Sequence, residues 1–305
     1  MARILVTGAT GFLGSHVIRS LIGVGLEPLA AARPTSYPWR LVDLANLSWI
    51  KLDVCSPESI QAALDVTCPD VIIHCAAYGV DYRQQDTSMA IRTNVEGTVA
   101  LVTAAAAAGV QRIIHVGSCF EYGHKSEPCK ETDLLAPSGL YGATKAAGSL
   151  LALERAKALG LDLCVVRPFG MYGPSEDEFR LVPQIIRACR DGKRLPVTTG
   201  AQLRDYSYVG DVAQAIVSIL QAASFPEGEI FNLGSGEAIQ LREFIIACAR
   251  HFGGENLLDF GALEYRPNEM WQLVADISKW KSRFGSCISQ IPLDQGLNLM
   301  ATSME

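Results

Sequence analysis

The sequence predicts an α/β fold: a doubly wound parallel sheet with a smaller C-terminal α/β lobe. Three observations lead there. The apolar run Ile4-Leu5-Val6 opens directly onto a glycine triplet, Gly8, Gly11 and Gly14, inside TGATGFLGSHV at 7–17. A helical pattern of Phe12, Leu13, Val17, Ile18 and Leu21 follows without a gap. Beyond it, strand-like and helical stretches alternate through the first half of the chain, as they do in a parallel sheet covered by helices on both faces.

The first strand is predicted at 4–6 and the first helix at 12–23. Glycines between them let the backbone turn sharply and approach a pyrophosphate. The helix start, with the N–H groups of Phe12 and Leu13 and the positive dipole end, suits the phosphates. Further strands are expected at 27–31, 48–52, 71–74, 112–117 and 161–167. The helix at 56–64 has a start signal in Ser56-Pro57-Glu58. Helices at 89–108 and 141–159 complete the alternation. Its most apolar stretch, 98–110, is too short to span a bilayer. After Arg167, the residues Pro168, Gly170, Gly173, Pro174, Pro183 and Pro196 mark loops and short elements. Phe231-Asn232-Leu233-Gly234 reads as a return to the sheet. The expected division is a dinucleotide-binding domain at 1–169 with a return segment at about 206–235. A substrate-binding lobe takes 170–205 and 236–305.

Composition narrows the function classes. The 305 residues are 49% hydrophobic, enough for a sizeable core and too apolar for disorder. The net charge of -6 argues against nucleic acid or an anionic membrane as partner. Arg3 to Val6 runs straight into a strand, so no signal peptide is expected and the location expected is the cytoplasm. Nine cysteines without a C-x-x-C pair read as reduced thiols, with neither a disulfide frame nor a metal site.

The end of the second strand bears on the cofactor. NAD-binding folds place an acid there, about 20 residues past the glycines, for the adenosine ribose. This chain has Ala31-Ala32-Arg33-Pro34. A carboxylate would repel a 2′-phosphate, whereas Arg33 can clamp one, so NADP(H) is expected over NAD(H). The plain alternative is an ordinary exposed arginine. Asp53, beside Val54 after the third strand, is placed to meet the adenine amino group. It equally suits the turn that opens the helix at Ser56.

Tyr141-Gly142-Ala143-Thr144-Lys145 sets a phenol and an ammonium four residues apart, on one face of a helix. The cation favours the phenolate, so the tyrosine can exchange a proton near neutral pH. Ser118 follows the strand Ile113-Ile114-His115-Val116-Gly117 and stands at a carboxyl end of the sheet, where ligands bind. Alone, the Tyr/Lys pair would read as a solvated helix face. With the glycine loop and Ser118 upstream it reads as a catalytic set.

These motifs resemble those of the extended short-chain dehydrogenases/reductases, in the NAD-dependent epimerase/dehydratase family that acts on nucleotide sugars. The resemblance covers most of the chain, through HCAA at 74–77, NVEGT at 94–98, GSCFEYG at 117–123, YGATK at 141–145, RPFGMYGP at 167–174, RDYSYVGDV at 204–212, FNLGSG at 231–236 and YRPNE at 265–269. It implies a Rossmann sheet and a catalytic triad of Ser118, Tyr141 and Lys145, with Lys145 also on the nicotinamide ribose. It implies that Cys75, Ala76, Ala77, Asn94 and Pro168 line the cofactor. Cys119 and Phe120 would face the substrate, and Arg204 and Arg266 its diphosphate. A homodimer through the helices holding 98–108 and Tyr141 is implied as well, with Ala146, Ala147, Gly148 and Ala152 allowing close approach. The same small residues equally suit packing inside one subunit.

Departures from the family pattern narrow the reaction. Dehydratases of the family carry Asp-Glu just after the triad Ser/Thr, where this chain has Cys119 and Phe120. The family's RPFN asparagine is Gly170. The expected activity is NADPH-dependent reduction of the C4 keto group of an NDP-4-keto-6-deoxyhexose. A nucleotide-sugar 4-epimerase is the alternative. Reduction of a small carbonyl compound, as by flavonol-type reductases, comes after it. A non-catalytic NADP(H)-sensing regulator is the alternative of another class, against which the complete triad speaks.

Overall fold

The computed structural model describes residues 2–266, 269–288 and 290–303. Its centre is a seven-stranded sheet. The strands are β1 (Ile4–Thr7), β2 (Pro28–Ala32), β3 (Ser48–Lys51), β4 (Val71–His74), β5 (Arg112–Val116), β6 (Asp162–Pro168) and the returning strand Ile230–Leu233. Their order is Ile230–Leu233, β6, β5, β4, β1, β2, β3. Pairings from β3 across to β6 are all parallel. This is the doubly wound Rossmann order, reversing direction between β1 and β4. Both strands at that reversal are buried along their whole length, whereas edge strand β3 is largely exposed.

Helices α1 (Phe12–Gly23), α2 (Pro57–Thr67), α3 (Thr87–Ile91), α4 (Gly97–Ala107) and α5 (Gly139–Leu159) accompany the sheet. Ser56 caps α2 through a hydrogen bond from the Ser59 N–H, with Pro57 at its first position. The helix predicted at 89–108 forms as one helical run over 87–107, with a π turn inside it at Arg92–Glu96. The extra residue of that turn lets the Asn94 amide bond Tyr78 and Thr144, a local demand that apolar periodicity does not register. Leu5, Ile72, Leu101, Ile113, Ala152 and Val165 belong to one continuous core between sheet and helices.

The chain divides into two compact units. The first is Met1–Gly123, Leu134–Pro168 and Ala213–Phe231. The second takes His124–Asp133, Phe169–Val212 and Asn232–Glu305. Segments 124–133, 206–212 and 232–235, with Phe169, assigned by sequence to the nucleotide domain, thus belong to the second unit. The strand Tyr206–Tyr208 pairs with Gly170–Tyr172, and the Asn232 side chain donates to the Cys129 carbonyl. The second unit has its own core around Tyr172, Ile185, Phe244 and Leu297. No helix among the described residues is long and apolar enough to cross a membrane.

Candidate active site

The glycine loop lies at the carboxyl end of β1. Gly8 has φ +66°, and a Cβ there would fall 2.6 Å from the Ala76 nitrogen. A Cβ on Gly14 would collide with the Gly8 carbonyl oxygen. Both positions therefore exclude a side chain, which leaves the shallow cradle a pyrophosphate needs. Helix α1 starts after Gly11 with no side-chain cap, so the Phe12 and Leu13 N–H groups at its start meet no capping side chain among the described residues. The loop fits a dinucleotide.

Around the adenosine end the structure adds a residue that sequence reasoning missed. Arg33 is exposed just past β2. Arg40, seven positions later, is 7% exposed; its Nη1 donates to the Thr10 carbonyl at 3.0 Å, and its guanidinium lies 4.2 Å over the Trp39 ring. Thr10 belongs to the glycine loop, so a second guanidinium borders the cradle. Its only signal in the sequence is an arginine beside a tryptophan in an irregular segment. Asp53 Oδ1 accepts the Cys55 N–H at 2.9 Å, the turn role held open for it, and Val54 beside it is buried.

Cys75, Ala76 and Ala77 follow β4, all half-buried. His74 below them is structural. Its ring bonds Thr7 Oγ1 at 2.7 Å and Thr98 Oγ1 at 3.1 Å, and burial, reinforced by the Lys145 charge, pushes its pKa down to about 3. Asn94 is fully buried. Its Nδ2 donates to the Tyr78 carbonyl and to Thr144 Oγ1, and its Oδ1 accepts the Tyr78 N–H. Both amide hydrogens are spent inside the protein, so Asn94 clamps the loop after β4 onto α5. Pro168, also buried, ends β6.

The reactive set assembles where β5 meets α5. Ser118 is the extended residue after the strand, and its Oγ accepts the Phe120 N–H at 3.2 Å. The segment Cys119–Glu121 forms a 3₁₀ turn. Gly142 lets α5 press onto that turn, since a Cβ there would fall 2.5 Å from the Phe120 oxygen. The Phe120 ring stands edge-on to Tyr141 at 5.8 Å, and is 39% exposed. Cys119 is buried. Lys145 is 1% exposed, and its Nζ donates to the Val116 carbonyl at 2.7 Å. Burial pushes its pKa down to about 8, against the pull of Glu121 and Cys75. A phenol, a hydroxyl and a buried amine near its titration point are groups that can exchange a proton with an oxygen.

The sequence pattern of the NAD-dependent epimerase/dehydratase family matches residues 4–234. The chain belongs to that family. It is an enzyme of the short-chain dehydrogenase/reductase type with a nicotinamide-cofactor fold. It is 31% identical over 274 residues to a dTDP-glucose 4,6-dehydratase of Streptomyces griseus, covering 86% of this chain and 81% of that one. Among solved structures it resembles a dTDP-glucose 4,6-dehydratase of Streptomyces venezuelae with NAD bound, at 28% identity and TM-score 0.89, with 99% of this chain and 96% of that one covered. A UDP-glucose 4-epimerase of Thermotoga maritima shares the fold at TM-score 0.90 and 24% identity, covering 99% of this chain and 98% of that one.

Within this family frame the second unit holds the remaining predicted residues. Arg204 is half-buried and ion-paired to Glu269, Nη2 to Oε1 at 2.6 Å. Arg266 is exposed; Pro267 and Asn268 of the same YRPNE motif lie outside the described residues. Gly170, standing where the family has asparagine, cannot carry a side chain: a Cβ would sit 2.5 Å from the Asp205 carbonyl oxygen, across the pairing with Tyr206–Tyr208.

Proposed function

We propose that the protein is an NADPH-dependent ketoreductase acting on the C4 carbonyl of a nucleoside-diphosphate 4-keto-6-deoxyhexose. The observation that carries this reading is the segment after Ser118. Cys119 is a buried thiol and Phe120 an aromatic ring on Tyr141, where dehydratases of the family have Asp-Glu. Neither supplies the carboxylic acid needed to expel the C6 hydroxyl as water, while the groups for reducing a ketone are all present.

Bound there, NADPH would supply a hydride to the carbonyl carbon. Gly8, Gly14 and the start of α1 support its pyrophosphate. Arg33 takes the 2′-phosphate, with Arg40 beside the glycine loop as the second cation. Ser118 donates a hydrogen bond to the carbonyl oxygen. Tyr141 gives its phenolic proton to the forming alkoxide. Lys145, fixed by the Val116 carbonyl, lowers the tyrosine pKa through its charge. Arg204 and Arg266 serve the diphosphate, which supplies binding energy away from the reacting carbon.

A homodimer accompanies this reading. Ala146, Gly148 and Ala152 are buried within the subunit, which fills the packing role held open for them. Leu150 and Leu151 of α5 remain 51% and 47% exposed and offer the apolar contact for a partner copy. Light scattering at micromolar concentration is expected to give twice the monomer mass.

A nucleotide-sugar 4-epimerase is the second reading; the 28%-identical Streptomyces venezuelae dehydratase holds NAD, which supports a nicotinamide cofactor kept as NAD without choosing between dehydration and epimerisation. The test is incubation with NADPH and a panel of GDP-, CDP-, dTDP- and UDP-linked 4-keto-6-deoxy sugars, with dTDP-glucose and NAD as the dehydration control. Oxidation of NADPH with one keto sugar and no dehydration is the expected result. Tightly held stoichiometric NAD and conversion of dTDP-glucose to its C4 epimer, with no keto sugar reduced and no NADPH lost, would establish the epimerase.

A further inference from the structure

Glu121 is the most completely buried charged residue near the site, at 0% exposure. Its Oε1 accepts the Ser118 N–H at 2.9 Å and the Ser149 hydroxyl at 2.8 Å. Its Oε2 accepts Arg167 Nε at 2.8 Å. Arg167, 1% exposed, lies 4.7 Å over the Tyr122 ring and donates from Nη1 to the Tyr122 hydroxyl at 2.9 Å. Gly117 makes the approach possible, since a Cβ there would sit 2.5 Å from Glu121 Oε1. One carboxylate thereby ties together the end of β5, α5 through Ser149 and β6 through Arg167. Those elements carry Ser118 and, one turn before Ser149, Lys145.

Burying an ion pair this deeply gains little stability over an apolar substitute of the same size. A well-packed leucine or methionine would serve the core as well. What an apolar residue cannot do is hold the Ser118 backbone and face Lys145 with a charge. We propose that Glu121 is the positioning residue of the site, tying the Ser118 backbone to α5 and β6 through one buried carboxylate. Its charge also acts on Lys145, raising the pKa that burial lowers. The proposal deepens the ketoreductase reading and rests on it for the consequence in turnover. Among the described residues, Glu121 and Cys75 act electrostatically on Lys145, which in turn acts on His74 and His115; Tyr141 stands one turn earlier on α5. Among the described residues of that set, Glu121 is the carboxylate.

The experiment is a pH titration of the protein labelled with ¹³C at lysine Cε, read by NMR, with the Lys145 signal assigned by its loss in Lys145→Met. Two variants are compared with the parent. Glu121→Gln keeps the shape but strands Arg167, which threatens folding. The double variant Glu121→Gln/Arg167→Met removes both charges together and keeps the core neutral. Lys145 is expected to titrate near pH 8 in the parent and about one pH unit lower or more in the double variant. A folded single variant should shift further, because Arg167 then stands unneutralised. In the double variant kcat should also fall about a hundredfold, the scale of a 1 Å misplacement of a reacting group. An unmoved Lys145 titration in the double variant overturns the proposal. Because the titration needs no substrate, a parent protein inactive on every keto sugar would defeat the ketoreductase reading alone and leave this result to be judged by itself.

Discussion

Lys145 donates its hydrogen bond to the carbonyl of Val116, two residues before Ser118. The ammonium on α5 is thus anchored to the strand that ends in the hydroxyl, so the groups serving the reacting oxygen are held by one bond across two elements. Tyr141, four residues before Lys145, is placed by the same helix. Tyr141→Phe removes the proton donor and leaves the Lys145 anchor intact. Turnover is expected to fall about a hundredfold or more, the usual scale for a lost general acid. Binding of NADPH, followed by its fluorescence, should stay within a few-fold of the parent. Near-normal turnover would remove Tyr141 from the role assigned to it.

Much of this site was legible in the sequence because its signals are local. The strand, glycine loop and helix of residues 4–23 follow one another without a break, and the Tyr141–Lys145 spacing needs only a helix to bring the pair together. Glu121 and Arg167 were not legible. They are 46 positions apart, and nothing in the local pattern around either distinguishes a buried pair from exposed charges. Arg40 escaped for a similar reason, since it stands in a short 3₁₀ turn instead of at a strand end. The π turn at Asn94 was hidden because apolar periodicity runs through it unchanged.

The two arginines give a graded test of cofactor choice. Losing a hydrogen bond to a charged group costs about 1.5–3 kcal/mol, so Arg33→Ala should weaken NADPH roughly ten- to a hundredfold. NADH, which lacks the phosphate, should change little. Arg40→Ala should weaken NADPH as well. It should also lower the melting temperature of the cofactor-free protein, because the Thr10 contact and the packing on Trp39 are lost with it. Fluorescence titration of both variants with both nucleotides reads the four affinities. Equal effects on NADH and NADPH would place neither arginine at the 2′-phosphate.

His115 predicts the acid behaviour of the fold. Its two ring nitrogens are buried with no hydrogen-bond partner among the described residues, and its ring lies 5.2 Å from that of His74. Burial first, then the charge of Lys145 and the neighbouring His74, hold its pKa well below 6.5. Below pH 6.5 the unfolded chain takes up a proton there that the folded chain refuses, so stability drops as the pH falls through that value. His115→Leu removes this loss together with an unpaired polar ring that costs about 1–3 kcal/mol. Its melting temperature should rise over the parent, and by more at pH 5 than at pH 7.5. The residual acid sensitivity should come from His74, which stays neutral down to about pH 3. A lower melting temperature at both pH values would contradict the account.

Lys145 has the opposite window. Below about pH 8 both folded and unfolded chains hold its proton; between about 8 and 10.5 only the unfolded chain does. Its contribution to stability therefore improves as the pH rises across that window, while its ammonium charge, and with it the activation of Tyr141, is lost. The rate should fall above about pH 8 in a protein that is still folded, which circular dichroism at each pH checks.

The central claim is that NADPH would reduce C4 of a nucleotide sugar directly, while Ser118 and Tyr141 hold and protonate the carbonyl oxygen and Lys145 tunes Tyr141. It is tested most directly by supplying NADPH deuterated at both C4 positions of the nicotinamide, together with the keto sugar chosen by the panel, and examining the product by mass spectrometry and NMR. The account predicts one deuterium per product, bound to sugar C4, with one NADPH consumed for each. An unreduced keto sugar with no NADPH consumed, or a product whose deuterium lies elsewhere than C4, would contradict it.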